Sequence, residues 1–199
     1  MPQAAIDPIT IAAHIQVALS EIHSRELAPG VFGVITTGMI HAGSASNIIP
    51  DTCVMEGTIR AADETSEKMM KDRLVEICEG IADVYRGSVK VEFTKYCPPA
   101  LSENCVAEQA FTYLGELYGK GVLTLTEMTG QKVMAGSEDF AFITNRVPSV
   151  LVMMSLGDYE NGCIYPQHHP KAKFEDDILY MGTAAYAHIA VRWLEENNH

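Results

Sequence analysis

The order of helical and strand-like patterns before residue 97 is the feature that most constrains the fold of this chain. Apolar residues recur at helical spacing from about Pro8 to Glu26 and from about Glu64 to Arg86. Runs that are rich in β-branched residues, or that alternate apolar with polar residues, occupy Val31–Ile40, Thr52–Ala61 and Ser88–Tyr96. The predicted order is helix, strand, strand, helix, strand. One more strand at the front would complete a ferredoxin-like βαββαβ unit.

Local signals support both helices of this unit. Asp7 is a predicted N-cap, and a proline follows it at the first helical position. Cys78 falls on the apolar face of the second helix, which predicts a core position for this thiol. The two apolar stripes consist of Ile11, Ile15, Ala18, Leu19 and Ile22 on the first helix and of Met70, Leu74, Ile77, Ile81 and Tyr85 on the second.

The pair Pro98-Pro99 divides the chain, and the segment after it carries a different pattern. In chain order we predict a helix at Glu103–Tyr118 capped by Ser102, a short strand at Val122–Glu127, a short helix that Ser137 caps and that contains Glu138, Asp139 and Phe140, a buried strand at Ser149–Leu156, and a helix at Glu175–Glu196. These elements are typical of one half of an α/β domain, with too few strands for a sheet that is covered on both faces. The sequence therefore predicts two domains, residues 1–96 and residues 97–199.

Charge and cysteine content narrow the functional classes. The 14 Lys and Arg residues are outnumbered by 26 Asp and Glu residues, which gives a net charge of −12. Nucleic acids and anionic membranes require a basic surface, so we expect neither as a partner. The five cysteines are an odd number without a CxxC pair, and the first residues show no secretory signal. We therefore expect reduced thiols and a cytoplasmic location.

A few positions are candidate site residues on chemical grounds. His168 and His169 lie in a proline-flanked loop after a predicted buried strand, and a neutral imidazole held in such a loop is a good zinc ligand. The other candidates also have ordinary structural explanations. Glu138 suits the N-terminus of a helix, Asn47 suits a turn before a strand, and Arg60 suits a solvated position at the end of one.

Three segments, in this order, resemble peptidase family M20, the metal-dependent amidohydrolases that include aminoacylases, hippurate hydrolases and auxin-conjugate hydrolases. Residues 43–51 read Gly-Ser-Ala-Ser-Asn-Ile-Ile-Pro-Asp, residues 136–140 read Gly-Ser-Glu-Asp-Phe, and residues 165–170 read Tyr-Pro-Gln-His-His-Pro. The resemblance implies an α/β chain with a ferredoxin-like α+β lid, or dimerisation, domain that lacks its first strand, followed by a partial α/β catalytic domain. It also implies a homodimer or higher oligomer held through the lid.

The resemblance assigns a role to each candidate residue. The family's loop usually reads His-X-Pro with its first histidine as a metal ligand, which implies that His168 binds metal and that His169 occupies the variable position. Glu138 would line the cleft beside the metal. Asn47 and Arg60 would bind the substrate's carboxylate or the carbonyl under attack, in their own subunit's site or in a partner's. A guanidinium suits a carboxylate because it donates two parallel charge-assisted hydrogen bonds.

The implied reaction is hydrolysis of the amide bond of N-acyl amino acids or small peptides, with two divalent ions that activate water and polarise the carbonyl. Zinc is the first expectation for these ions, and manganese or cobalt are the alternatives. The family's His-X-Cys-Gly-His-Asp motif and its catalytic Glu-Glu pair are both missing from this chain. Glu195-Glu196 lies in the final predicted helix, which is not the context that the family's pair requires. We therefore expect the general base and most metal ligands upstream, and the isolated chain to be inactive and metal-free.

Two other interpretations stay open at this point. The chain could be a non-catalytic protein that keeps the lid as a dimerisation module, or a small-molecule-binding domain that shares only ancestry with the enzymes. A neighbouring coding segment with the missing motifs would favour the amidohydrolase fragment.

Overall fold

The computed structural model describes residues 1–94, 96–134, 136 and 138–197. The chain divides into two compact units, Met1–Pro99 with Val133–Ser137, and Ala100–Lys132 with Glu138–His199. Each unit is described below by itself. The assignment of residues 1–96 to a lid and of residues 97–199 to half of a catalytic domain stays a prediction.

The first unit begins with two helical segments that pack beside a pair of strands. Helix α1 spans Pro8–Ala18, and a π-helical turn follows it at Ile22–Glu26. The predicted cap is confirmed, because the Ile9 backbone N–H donates to Asp7 Oδ1 at 2.9 Å. The single long helix predicted here is therefore an α-helix followed by a separate π-helical turn.

The sheet of this unit contains strands β1, Gly33–Ala42, and β2, Cys53–Ala61, which pair antiparallel. Both predicted strands are confirmed, with β1 displaced by two residues along the chain. A bulge interrupts the register between Thr37 and Met39. His41, one residue beyond the predicted end of the first strand, lies in β1 opposite Val54.

The third strand predicted in this unit is wrong as a paired strand. Within the described residues 88–94 and 96 no strand forms, although Val89 and Val91 still pack against the core. The alternation of partly buried and exposed residues therefore survives without a hydrogen-bonded ladder. The physical reason is that a ladder needs a neighbour, and in a ferredoxin-like order the central first strand would supply it.

The core of the first unit lies between α1, helix α2 at Glu64–Val84, and the sheet. Ile22 and Met70 are fully buried there, and Cys78 is buried as predicted. Burying an aliphatic side chain of this size stabilises the fold by about 1.5–3 kcal/mol. The buried members of this cluster are Ile11, Ile15, Leu19, Ile22, Met70, Cys78 and Ala82.

A bidentate ion pair joins the π-helical turn to α2. Arg73 donates from Nε to Glu26 Oε2 at 2.6 Å and from Nη2 to Glu26 Oε1 at 2.8 Å. These hydrogen bonds hold the pKa of the Glu26 carboxyl below its ordinary value. The pair links the turn to α2, and because both side chains remain partly exposed to solvent its contribution to stability is small.

Four α-helices form the regular structure that is described in the second unit. They are α3 at Asn104–Tyr118, α4 at Leu125–Thr129, α5 at Ala141–Thr144 and α6 at Leu179–Asn197. Two tyrosines of α3 reach α6: Tyr118 Oη donates to the Met181 carbonyl at 2.6 Å, and Tyr113 Oη donates to Glu196 Oε2 at 2.6 Å. The hydrogen bond to Glu196 raises the pKa of Tyr113 to about 12.

Two predictions at the start of this unit are wrong. The N-cap of α3 is Glu103, whereas Ser102 Oγ accepts a hydrogen bond from the Leu151 backbone at 3.3 Å. The strand predicted at Val122–Glu127 is replaced by α4. Thr124 and Glu127 form a capping box that begins this helix, and such a box satisfies two backbone N–H groups that would otherwise lack partners.

Two further predictions in this unit need correction. The segment Ser149–Leu156 forms no strand with any described residue, and Met153 is 55% exposed. A buried strand requires neighbours on both sides, and the described residues of this unit provide none. The short helix expected to contain Glu138 begins instead at Ala141. Its predicted cap, Ser137, lies outside the described residues.

The final helix is confirmed from Leu179 onward, preceded by a single 3-10 turn at Asp176–Ile178. Ala185, Ile189 and Trp193 lie along one side of this helix, and this side is only partly covered, since Ala185 and Ile189 are half-buried whereas Trp193 is 44% exposed. Across the residues described, the structure contains no helix that combines the length and apolar character needed to cross a membrane.

Candidate functional site

His168 has an unusual backbone conformation. The His169 backbone N–H donates to the Pro166 carbonyl at 3.1 Å and closes a turn with His168 at its third position. The φ of His168 is 71°, in the left-handed region that type II turns require at this position and that glycine usually fills. A non-glycine residue held there is a reason to look for a function, because the conformation costs free energy.

The neighbouring His169 is engaged within the loop itself. Its ring stacks on Tyr165 with centroids 4.3 Å apart and planes 8° from parallel. Its Nδ1 accepts a hydrogen bond from the Lys171 backbone N–H at 3.1 Å. The imidazole of His168, by contrast, is exposed and has no hydrogen-bond partner among the residues that the structure describes. The loop therefore leaves His168 as the histidine that is available to a ligand.

Glu138 and Asp139 lie in the turn that leads into α5. Glu138 Oε1 accepts a hydrogen bond from the Phe140 backbone at 3.3 Å, and its carbonyl accepts one from Ala141 at 3.1 Å. Both acids are exposed. A carboxylate that receives a backbone N–H at the start of a helix is well placed electrostatically, so this contact accounts for Glu138 locally. Its predicted place in the cleft stays a prediction.

Asn47 and Arg60 belong to the first unit. Asn47 lies in an exposed turn of the loop between β1 and β2, next to a pocket of about 510 Å³ lined by residues 41–44 and 48–52. Arg60 is half-buried near the end of β2, opposite Val34. The structure therefore places Asn47 and Arg60 in one unit, and Glu138 and His168 in the other.

The described residues contain one candidate metal ligand, His168, rather than a group that could hold an ion. Within residues 1–94, 96–134, 136 and 138–197, no three His, Cys, Asp or Glu side chains are grouped so that they could hold an ion. A catalytic zinc uses three protein ligands. His168 fits the role of one of them, because its exposed imidazole is not committed to any described neighbour.

Sequence reasoning missed two features of this unit. The stacking of Tyr165 on His169 has no signal in the sequence beyond the presence of both rings in one loop. Glu175 was predicted as the start of a helix, but it precedes the helical residues, and its Oε1 is buried without a described hydrogen-bond partner. Its side chain lies close to Gly157, which also packs tightly against Cys163.

Comparisons with known proteins agree with the sequence motifs. Residues 1–86 match the peptidase dimerisation domain. The chain is 30% identical to thermostable carboxypeptidase 2 of Saccharolobus solfataricus over 193 residues, which is 96% of this chain and 47% of that protein. It is also 30% identical to the hippurate hydrolase of Campylobacter jejuni over 194 residues, which is 98% of this chain and 48% of the relative.

A solved structure shows the same fold. The Bacillus subtilis YXEP protein, a dinuclear metal-binding peptidase from the M20 family, matches with a TM-score of 0.75 at 24% identity. The match covers 97% of this chain and 47% of that one. The predicted fold class, a ferredoxin-like lid followed by a partial α/β catalytic domain, is confirmed by this likeness.

The chain spans about half the length of the curated relatives that it matches. These relatives are M20 amidohydrolases and peptidases, and the dimerisation domain at residues 1–86 belongs to the same family. The chain is therefore a homologue of the M20 amidohydrolases, corresponding to about half of such a protein.

Proposed function

We propose that the protein to which this chain belongs hydrolyses the amide bond of N-acyl amino acids or small peptides. The observation that carries the proposal is His168, whose imidazole is exposed and without a described partner in a left-handed turn of the His-His-Pro loop. Relatives along the whole chain are named as a hippurate hydrolase and a carboxypeptidase, both of which act on amide bonds.

In this proposal His168 is one ligand of a two-metal centre. The metal would supply an activated water and a polarised carbonyl when bound. We expect zinc, with manganese or cobalt as alternatives, and the similar Bacillus subtilis peptidase is described as dinuclear. Since the described residues hold no group of three ligands, the remaining ligands and the general base are expected in the half of the relatives outside the match.

The other candidates have binding roles in this proposal. Arg60 would direct its guanidinium to the substrate's carboxylate, and Asn47 would donate its side-chain amide to the carboxylate or to the carbonyl under attack. Glu138 would line the cleft. We leave open whether Asn47 and Arg60 act in their own subunit's site or in a partner's.

The proposal is tested by comparing the isolated chain with a completed protein. In the completed protein, residues 1–199 replace the matching half of the Campylobacter jejuni hippurate hydrolase. With zinc, manganese or cobalt added, the isolated chain should not hydrolyse N-acetyl or N-benzoyl amino acids, whereas the completed protein should. Rapid hydrolysis by the isolated chain would contradict the fragment interpretation, and a folded but inactive completed protein would favour a non-catalytic role.

Replacing Arg60 with alanine in the completed protein should weaken substrates that end in a free carboxylate. We expect kcat/KM to fall by an amount that corresponds to about 1.5–3 kcal/mol of lost transition-state stabilisation, the usual contribution of a hydrogen bond to a charged group. Analogues that end in an amide should lose little, and the control Arg25→Ala should change neither class. Steady-state kinetics with both substrate types measures the difference, and equal losses on both would show that Arg60 is structural.

We further propose that the protein is a homodimer or higher oligomer held through residues 1–96. The dimerisation domain matched at residues 1–86 supports this, and so do exposed apolar side chains on the two strands, such as Met39, Ile40 and Val54. Unpaired strand edges with apolar residues favour association. Light scattering at micromolar concentration should give at least twice the 21.8 kDa chain mass, and a stable monomer would refute the proposal.

We also propose a cytoplasmic location. The sequence contains five cysteines, an odd number without a CxxC pair, and in the structure Cys78 is buried and Cys105 exposed. Reduced cysteines without a disulfide framework are typical of reducing compartments.

A further inference from the structure

The loop that carries His168 contains a stack of side chains whose position suggests a second role. Tyr165 and His169 lie face to face, with ring centroids 4.3 Å apart and planes 8° from parallel. His168 is the residue immediately before the second ring, at the left-handed position of the turn. The stack therefore spans the turn and joins the residue before it to the residue that closes it.

Backbone contacts attach this stack to the rest of the loop. His169 donates through its N–H to the Pro166 carbonyl at 3.1 Å, and its own carbonyl accepts from Ala172 at 2.9 Å. The Lys171 N–H donates to His169 Nδ1 at 3.1 Å, and Lys171 Nζ lies 5.8 Å from the centroid of the Tyr165 ring. Hydrogen bonds hold the backbone of His169, and the stack on Tyr165 together with the Lys171 N–H holds its ring. The backbone conformation of His168 is therefore restrained by the residue that follows it.

We propose that Tyr165 and His169 are positioning residues, whose stacked rings hold His168 in the left-handed conformation and so fix the direction of its imidazole. This inference rests on the proposed metal-binding role of His168 and deepens it. A non-glycine residue leaves the left-handed region unless its surroundings prevent it. A metal-ligating side chain can adopt its binding-competent conformation for only a fraction of the time. The apparent affinity for the metal is then the intrinsic affinity multiplied by that fraction.

The experiment compares the isolated chain with the variants Tyr165→Ala and Tyr165→Phe. Phenylalanine keeps the stacked ring and loses the hydroxyl, so it is the matched control. In isotope-labelled protein, positive φ at His168 gives a strong intraresidue cross-peak between its Hα and amide proton. We expect the parent and Tyr165→Phe to keep this cross-peak and Tyr165→Ala to lose it. The melting temperature should stay the same in all three, because the loop is exposed.

A zinc titration provides the second measurement. The isolated chain is expected to carry no metal of its own, but an excess of added zinc should bind weakly through His168. The shift of the His168 imidazole resonances gives this weak apparent affinity, which should fall about threefold to tenfold in Tyr165→Ala and stay unchanged in Tyr165→Phe. Should Tyr165→Ala lower the melting temperature, His169→Leu removes the same stack from its other side and is read by the same cross-peak.

The two measurements separate this inference from the proposed function. An intact cross-peak in Tyr165→Ala, or an equal loss of the cross-peak in Tyr165→Phe, overturns the positioning role regardless of the result of the zinc titration. A parent chain in which zinc leaves His168 unaffected, while the completed protein also binds no metal through it, overturns the metal-binding role. The cross-peak then still decides whether the stack holds the turn.

Discussion

Replacing His168 with alanine should abolish amide hydrolysis by the completed protein and lower its metal content. A two-metal hydrolase site has few protein ligands for each ion, so the loss of one leaves the ion without a full coordination shell. Changing even the outer partners of ligands costs about 10–100-fold in metal affinity or activity. We therefore expect a loss of more than about a hundredfold in kcat/KM, measured with an N-benzoyl amino acid, together with reduced bound metal by elemental analysis.

His23→Ala is the matched control, because His23 is an exposed histidine in the first unit. It should retain the activity and metal content of the parent. Full activity in the His168→Ala protein would leave the resemblance without its central residue. A folded His168→Ala protein that keeps its metal but loses activity would assign His168 to substrate rather than to metal.

Replacing Ile22 with alanine should destabilise the first unit by about 2–5 kcal/mol, the range measured for removing a large aliphatic side chain from a packed core. Ile22 is 0% exposed and belongs to the cluster between α1, α2 and the sheet. Its loss removes apolar contacts and leaves a cavity that the neighbouring side chains fill only in part. Hydrogen exchange at amides of α1 and α2 measures the effect on this unit alone.

Ile9→Ala tests whether burial rather than helix composition is responsible. Ile9 lies in α1 and is 48% exposed, so its replacement should change stability by less than about 0.5 kcal/mol. If the Ile22→Ala protein does not fold, Ile22→Val should give a measurable loss of about 0.5–1.5 kcal/mol. Equal effects at the two positions would contradict the core assignment.

Signals that act over a few residues were readable from the sequence. Asp7 caps α1 because its carboxylate reaches a backbone N–H two residues away, and the apolar stripe that includes Ile15 and Met70 follows from helical periodicity. The capping box of Thr124 and Glu127 is the same kind of signal, and it begins α4 although the pattern of residues 122–127 predicts a strand.

The sequence by itself determined the four longer helices α1, α2, α3 and α6, the β1–β2 pair and the family resemblance, which makes His168 the candidate ligand among the histidines. Tertiary structure decided the rest. Val89 and Met153 lie in segments with strand-like composition that form no ladder, because a strand exists only when another backbone lies alongside it. The left-handed φ of His168 and the stacking of Tyr165 on His169 both depend on how this one loop closes on itself. Residue type determines what an imidazole can bind, whereas the closed turn engages His169 in a ring stack and a hydrogen bond and leaves the His168 ring without a partner among the described residues.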